Sequence, residues 1–120
     1  MGLMEVRFLG ATKHLESAIH ILDERGLCKN MYLNPYSKNV SATGALLCAL
    51  GVPDEDILTW SGDVTELPLI DRDMAMCQEL LNLLEGLVDD DLESWSDKAS
   101  LDEVKHALKR LINLIEISVT

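Results

Sequence analysis

Aromatic side chains are scarce in this chain: two Trp, two Tyr and one Phe among 120 residues, 4% in all. Strands draw on aromatic and β-branched residues, so the scarcity speaks against a β-sandwich. The 48% apolar content is carried instead by Leu, Ile, Val, Met and Ala, a composition suited to helix-on-helix packing. No apolar run approaches the roughly 18 residues that a membrane-crossing helix requires. The first residues, Met1-Gly2-Leu3-Met4-Glu5-Val6-Arg7, lack the basic and then apolar stretch of a secretory leader, and the cytoplasm is the expected location. Cysteine is limited to Cys28, Cys48 and Cys77, odd in number and without a CxxC pair. Neither a zinc site nor a disulfide framework is therefore expected. Cys48 and Cys77 read as small core hydrophobes; Cys28, just past a helix end, is expected to be the more exposed.

Positive charge is missing from one long stretch. Residues 51–97 hold fourteen acidic side chains and one basic one, Arg72, whereas residues 1–50 and 98–120 each balance at +1. The net charge of −11 is thus the property of a central segment. Such a field repels nucleic acid and anionic membrane and attracts basic protein surfaces, so neither direct nucleic-acid binding nor membrane association is expected.

The same segment repeats a phrase. Gly51-Val52-Pro53-Asp54-Glu55-Asp56-Ile57-Leu58-Thr59-Trp60-Ser61 is echoed 35 residues later by Gly86-Leu87-Val88-Asp89-Asp90-Asp91-Leu92-Glu93-Ser94-Trp95-Ser96, with five of eleven positions identical. The echo suggests a unit used twice: a helix ending at glycine, an acidic turn, then a tryptophan. Trp60 and Trp95 read either as plugs of the core or as anchors lining a ligand pocket.

Helical periodicity supplies the frame. Leu15, Ala18, Ile19 and Leu22 fall at i, i+3, i+4 and i+7 and predict a helix over 13–25 closed by Gly26. Val6-Arg7-Phe8-Leu9 before it is a short strand or an extended segment. Turn chemistry at Asn34-Pro35 and Ser37-Lys38-Asn39 leaves a small β-hairpin or a simple loop over 31–41. Ser41 is placed to cap a small-residue helix over 42–50, ended by Gly51 and Pro53. Asp54-Glu55-Asp56 starts a short helical turn that carries Ile57 and Trp60 inward. Asp71 is read as the cap of a helix over 72–85 with Met74, Cys77, Leu80, Leu81 and Leu84 inward, ended by Gly86. Ser100-Leu101-Asp102-Glu103 forms a capping box before a helix over 101–116. The fold class expected is mainly α, a compact single domain (residues 1–120) of four or five helices around one core, with the 31–41 hairpin as an option.

No catalytic or cofactor motif emerges. His14, His20 and His106 do not share a helix face, and no residue offers a nucleophile beside a base. The runs Asp54–Asp56 and Asp89–Asp91 lack the alternation and turning glycine of a calcium loop. No enzyme, metal or cofactor is expected. Taken in order, Leu15 through Arg25-Gly26-Leu27-Cys28, Gly44-Ala45-Leu46, then Leu92-x-x-Trp95-Ser96-Asp97 with Glu103-Val104 and Leu108 resemble an uncharacterised family of small proteins carried by bacteriophages and actinobacteria. The resemblance implies a compact helical fold and a phage or mobile-element setting, with the host cytosol as location.

These readings converge on a non-enzymatic acidic protein that binds a basic protein surface through Asp54, Glu55, Asp56, Asp89, Asp90, Asp91 and Glu93. In the phage setting this becomes an inhibitor of a host nucleic-acid-binding, defence-type protein, its carboxylates standing where phosphates would. Two alternatives stand beside it. One is a small-molecule-binding protein with a pocket lined by Trp60 and Trp95; the other is a self-assembling structural protein, a homodimer sharing one helix's apolar stripe.

Overall fold

A computed structural model describes residues 10–119. The expected extended segment at Val6–Leu9 lies outside the described residues. Among these, six α-helices follow one another: α1 (Ala11–Arg25), α2 (Ala42–Ala49), α3 (Asp54–Leu58), α4 (Asp71–Val88), α5 (Leu92–Lys98) and α6 (Leu101–Val119), with a 3-10 turn at Val64–Glu66 between α3 and α4. The helix number exceeds the expected four or five because the two acidic stretches each fold into a short helix of their own, α3 and α5.

The frame follows the periodicity. Leu15, Ala18 and Leu22 of α1 are fully buried, as are Leu80 and Leu84 of α4 to within 1%. Val104, Ala107, Leu108, Leu111, Ile112 and Ile115 of α6 are all buried, as their spacing requires. The box at the start of α6 is closed on both sides. Ser100 N donates to Glu103 Oε1 and Glu103 N donates to Ser100 Oγ, each at 3.1 Å. Both contacts satisfy amides that the helix cannot. Residues 42–47 of α2 are buried all round, and Ser41 Oγ accepts from Gly44 N at 3.0 Å. This small central helix packs on α1, which also packs on α6; α4 and α5 close the other side.

Three local expectations are corrected. First, the 31–41 segment is a loop carrying single bridges, not a hairpin: Leu33 pairs antiparallel with Val40, and Leu27 pairs parallel with the same Val40. The reason lies in Val40. Its N–H donates to Gly26 O and its carbonyl accepts from Cys28 N, both at 3.0 Å, so its backbone is engaged by the segment after α1. Asn34 meanwhile closes the loop tip early, its side-chain oxygen accepting from Tyr36 N and Ser37 N. Second, Asp71 is the first residue of α4 and not its cap; Ile70 holds that position with no side-chain bond. Third, Gly86 does not end α4. The helix runs on to Val88, and Asp89 (φ 55°, ψ 42°) takes the left-handed closing position. Leu87 pulls the extra turn inward, packing against the core.

The sequence echo is therefore not a structural repeat. Gly51 turns the chain at φ +90° after α2, whereas Gly86 lies inside a helix. Trp60 follows the end of α3, whereas Trp95 sits in the middle of α5. Because a methyl group at Gly86 would meet no atom within 4 Å, Gly86→Ala should stabilise the protein by about 0.5–1 kcal/mol through helix propensity alone. A rise in the urea midpoint with unchanged slope is the expected reading; a fall would mean that α4 breaks at Gly86 after all.

Candidate functional site

The acidic residues divide by what holds them. Asp54 Oδ1 and Oδ2 accept from Arg25 Nη1 at 3.2 and 3.3 Å, tying the start of α3 to the end of α1. Asp91 caps α5, accepting from Ser94 N at 3.2 Å, and Asp90 accepts from Asp91 N at 2.7 Å. Glu93 accepts from Thr43 Oγ1 at 2.8 Å, linking α5 to the first turn of α2. Among the described residues no side-chain hydrogen bond or ion pair is found for Glu55, Asp56 or Asp89. The negative charge of this segment is consequently part structural fixture and part unengaged surface.

The two acidic runs lie near different ends of α2: Glu93 is tied to Thr43 in its first turn, and Asp54 acts on Cys48 in its last turn.

The tryptophans part company in the same way. Trp60 is half-buried, with its indole N–H donating to Asp63 O at 2.8 Å. Its ring meets that of Tyr32 at a centroid distance of 4.8 Å and an interplanar angle of 50°, a tilted geometry favourable to aromatic pairs. Trp95 lines a separate shallow groove with Leu87, His106 and Arg110. Both rings pack against the core; they do not face one hollow.

Tyr32 is the residue that sequence reasoning passed over. The Tyr32 phenol is pushed above its ordinary pKa by burial, and further by the charges of Glu93 and Asp91. Two adjoining hollows share Tyr32 and Glu93. The smaller, about 130 Å³, is walled by Tyr32, Trp60, Thr43, Gln78, Glu85 and Glu93. The larger, about 310 Å³, continues past Met31, Ser41, Ser96 and Asp97. Among the described residues no lysine, arginine or histidine lines either one.

The loop that presents Tyr32 is pinned to α5 by three contacts. Lys29 Nζ donates to the carbonyls of Ser96 and Ala99, at the end of α5 where a cation is favoured. Asn30 N donates to Asp97 Oδ1 at 2.7 Å. Ser96, only 2% exposed, accepts from Ala42 N at 3.2 Å and so satisfies the first amide of α2. Ser96→Ala leaves that amide without its partner and should destabilise the protein by about 1–2 kcal/mol. Chemical denaturation measures this directly; a change under about 0.3 kcal/mol would remove the contact from the account.

Other reactive groups are muted. Burial raises the thiol pKa of Cys28 and Cys48 and pushes that of Cys77 up to about 11, so thiolate is scarce near neutral pH. Cys28 is buried, contrary to expectation, and its thiol donates to Met31 O at 3.3 Å. Among the described residues no group of three or more His, Cys, Asp or Glu is placed to hold a metal ion, and no helix is long and apolar enough to cross a membrane.

No curated protein and no solved structure matches this chain. A family of unknown function, DUF6197, matches residues 9–114, and the chain belongs to that family.

Proposed function

We propose that this chain is a non-enzymatic binding protein of the cytoplasm whose acidic middle segment docks on a basic protein surface. In its most specific form it is encoded by a phage or mobile element and inhibits a host nucleic-acid-binding protein of the defence type. Its carboxylates then occupy the positions of nucleic-acid phosphates. One observation carries the reading: residues 51–97 bear fourteen acidic groups against one basic group, and folding neutralises only part of them. Glu55 and Asp89 are exposed and Asp56 is half-exposed, so these carboxylates are available to a partner. The raised thiol pKa values count against a thiolate nucleophile.

Immobilised protein incubated with lysate of a bacterial host at low and at high salt tests the proposal. Contacts of this kind are screened over about 8–10 Å at physiological ionic strength. A basic nucleic-acid-binding protein held at low salt, released at high salt and displaced by duplex DNA is the expected result. A partner retained equally at both salts, through apolar contacts, would overturn the charge-based mechanism. An empty capture at both salts would count against protein docking altogether.

A further inference from the structure

We propose that the hollow between Tyr32, Trp60 and Glu93 is a binding site for an organic cation, a guanidinium or alkylammonium head group. This deepens the reading of a basic partner by naming the chemical group that is gripped. Three independent features converge there. The aromatic pair supplies ring faces with negative potential, on which a cation with apolar surface gains both electrostatic attraction and contact. Two carboxylates, Glu85 and Glu93, line the same hollow. Glu93 accepts a bond from Thr43 through Oε1, leaving Oε2 for a ligand, and no hydrogen bond or ion pair is found for the Glu85 side chain among the described residues. Among the described residues the wall contains no basic side chain to neutralise either. The Lys29 ammonium is engaged by the carbonyls of Ser96 and Ala99.

Size and chemistry narrow the ligand. At about 130 Å³ the hollow is well below the roughly 300–1,000 Å³ of drug-sized sites and takes a head group, while any bulkier remainder of a ligand would extend into the adjoining hollow of about 310 Å³. Phosphate is repelled by both carboxylates. A neutral apolar group would desolvate them without compensation. A bare metal ion would gain little from the aromatic faces, which reward a weakly hydrated cation. The site is also held in place before any ligand arrives. Trp60 is anchored through its indole N–H to Asp63 O, and Tyr32 is carried on the loop that Lys29 and Asn30 pin to α5.

The test follows the two indole N–H signals of the ¹⁵N-labelled protein, with Trp95→Phe or Trp60→Phe used only to assign them. Arginine amide and tetramethylammonium are the probes, and sodium chloride at equal ionic strength is the control. A saturable shift of the Trp60 signal with either organic cation, absent with sodium, is expected. Glu93→Gln keeps an acceptor for Thr43 but removes the charge; it and Glu85→Gln should each weaken binding about tenfold. No saturable shift, an equal shift with sodium, or unchanged affinity in both variants would overturn the site. A peptide carrying one arginine, compared with its citrulline version, separates the sources. Tighter binding of the arginine peptide than of arginine amide marks a partner's side chain, and equal or weaker binding marks a free small cation. Both outcomes support the site. The variant Glu55→Lys/Asp56→Lys/Asp89→Asn, none of whose positions lines the hollow, should change cation affinity by no more than about twofold. Failure of the docking proposal is thereby distinguished from failure of this one.

Discussion

Gly44→Ala should destabilise the protein by about 3 kcal/mol, against the sign that helix propensity alone would give. Gly44 lies in the first half of α2, and replacing a helical glycine by alanine normally stabilises by about 0.5–1 kcal/mol. Here a Cβ would stand 2.0 Å from the Tyr32 carbonyl oxygen and 3.0 Å from its carbon. That neighbour is backbone and cannot rotate away. It is also engaged, because Tyr32 O accepts from Ser41 N at 3.0 Å, and Ser41 in turn caps α2. The loop must therefore move as a body, loosening the Ser41 contact and the seat of Tyr32 together. The clash outweighs propensity because a contact a full ångström inside van der Waals range is relieved only by breaking these bonds. Denaturation midpoints of Gly44→Ala and Gly86→Ala, measured side by side, should move in opposite directions. Equal shifts would mean that the loop is not seated on α2.

Glu55→Lys/Asp56→Lys/Asp89→Asn should weaken binding to a basic partner by about a hundredfold while leaving the fold nearly as stable. Exposed ion pairs contribute roughly 0.2–1 kcal/mol each, and a reversed charge replaces attraction with repulsion. Three altered sites thus amount to about 3 kcal/mol, or about two decades in Kd. These positions are chosen because their carboxylates are not fixtures of the fold. Reversing Asp54 would break its ion pair with Arg25, and altering Asp91 would remove the cap of α5. Loss of binding in either variant would then be confounded with loss of structure. Asparagine at position 89 preserves a residue that tolerates the left-handed conformation found there. Binding that survives the triple substitution, with the salt dependence unchanged, would refute docking through these carboxylates. A large fall in thermal stability would show instead that they support the fold.

Part of this protein was legible in its residues without coordinates. The Ser41 cap and the Ser100–Glu103 box each act within one helical turn, and the stripe of Leu15, Ala18 and Leu22 spans two. A signal confined to i through i+7 can be read directly from spacing. The acidity of residues 51–97 was equally plain, since charge is a property of composition. What tertiary structure decided involves groups far apart in the chain. Whether Gly86 ends α4 depended on where Leu87 could be buried. Whether residues 31–41 form a hairpin depended on Gly26 and Cys28 engaging Val40 first. The pairing of Tyr32 with Trp60, and of Thr43 with Glu93, joins residues 28 and 50 positions apart. No local preference encodes such pairings; they arise when α2 is buried and the loop and α5 close around its first turn. Two phrases alike in sequence could accordingly become two different structures. Composition determined that this middle segment is acidic, and packing alone decided which carboxylates hold the fold and which remain for a partner.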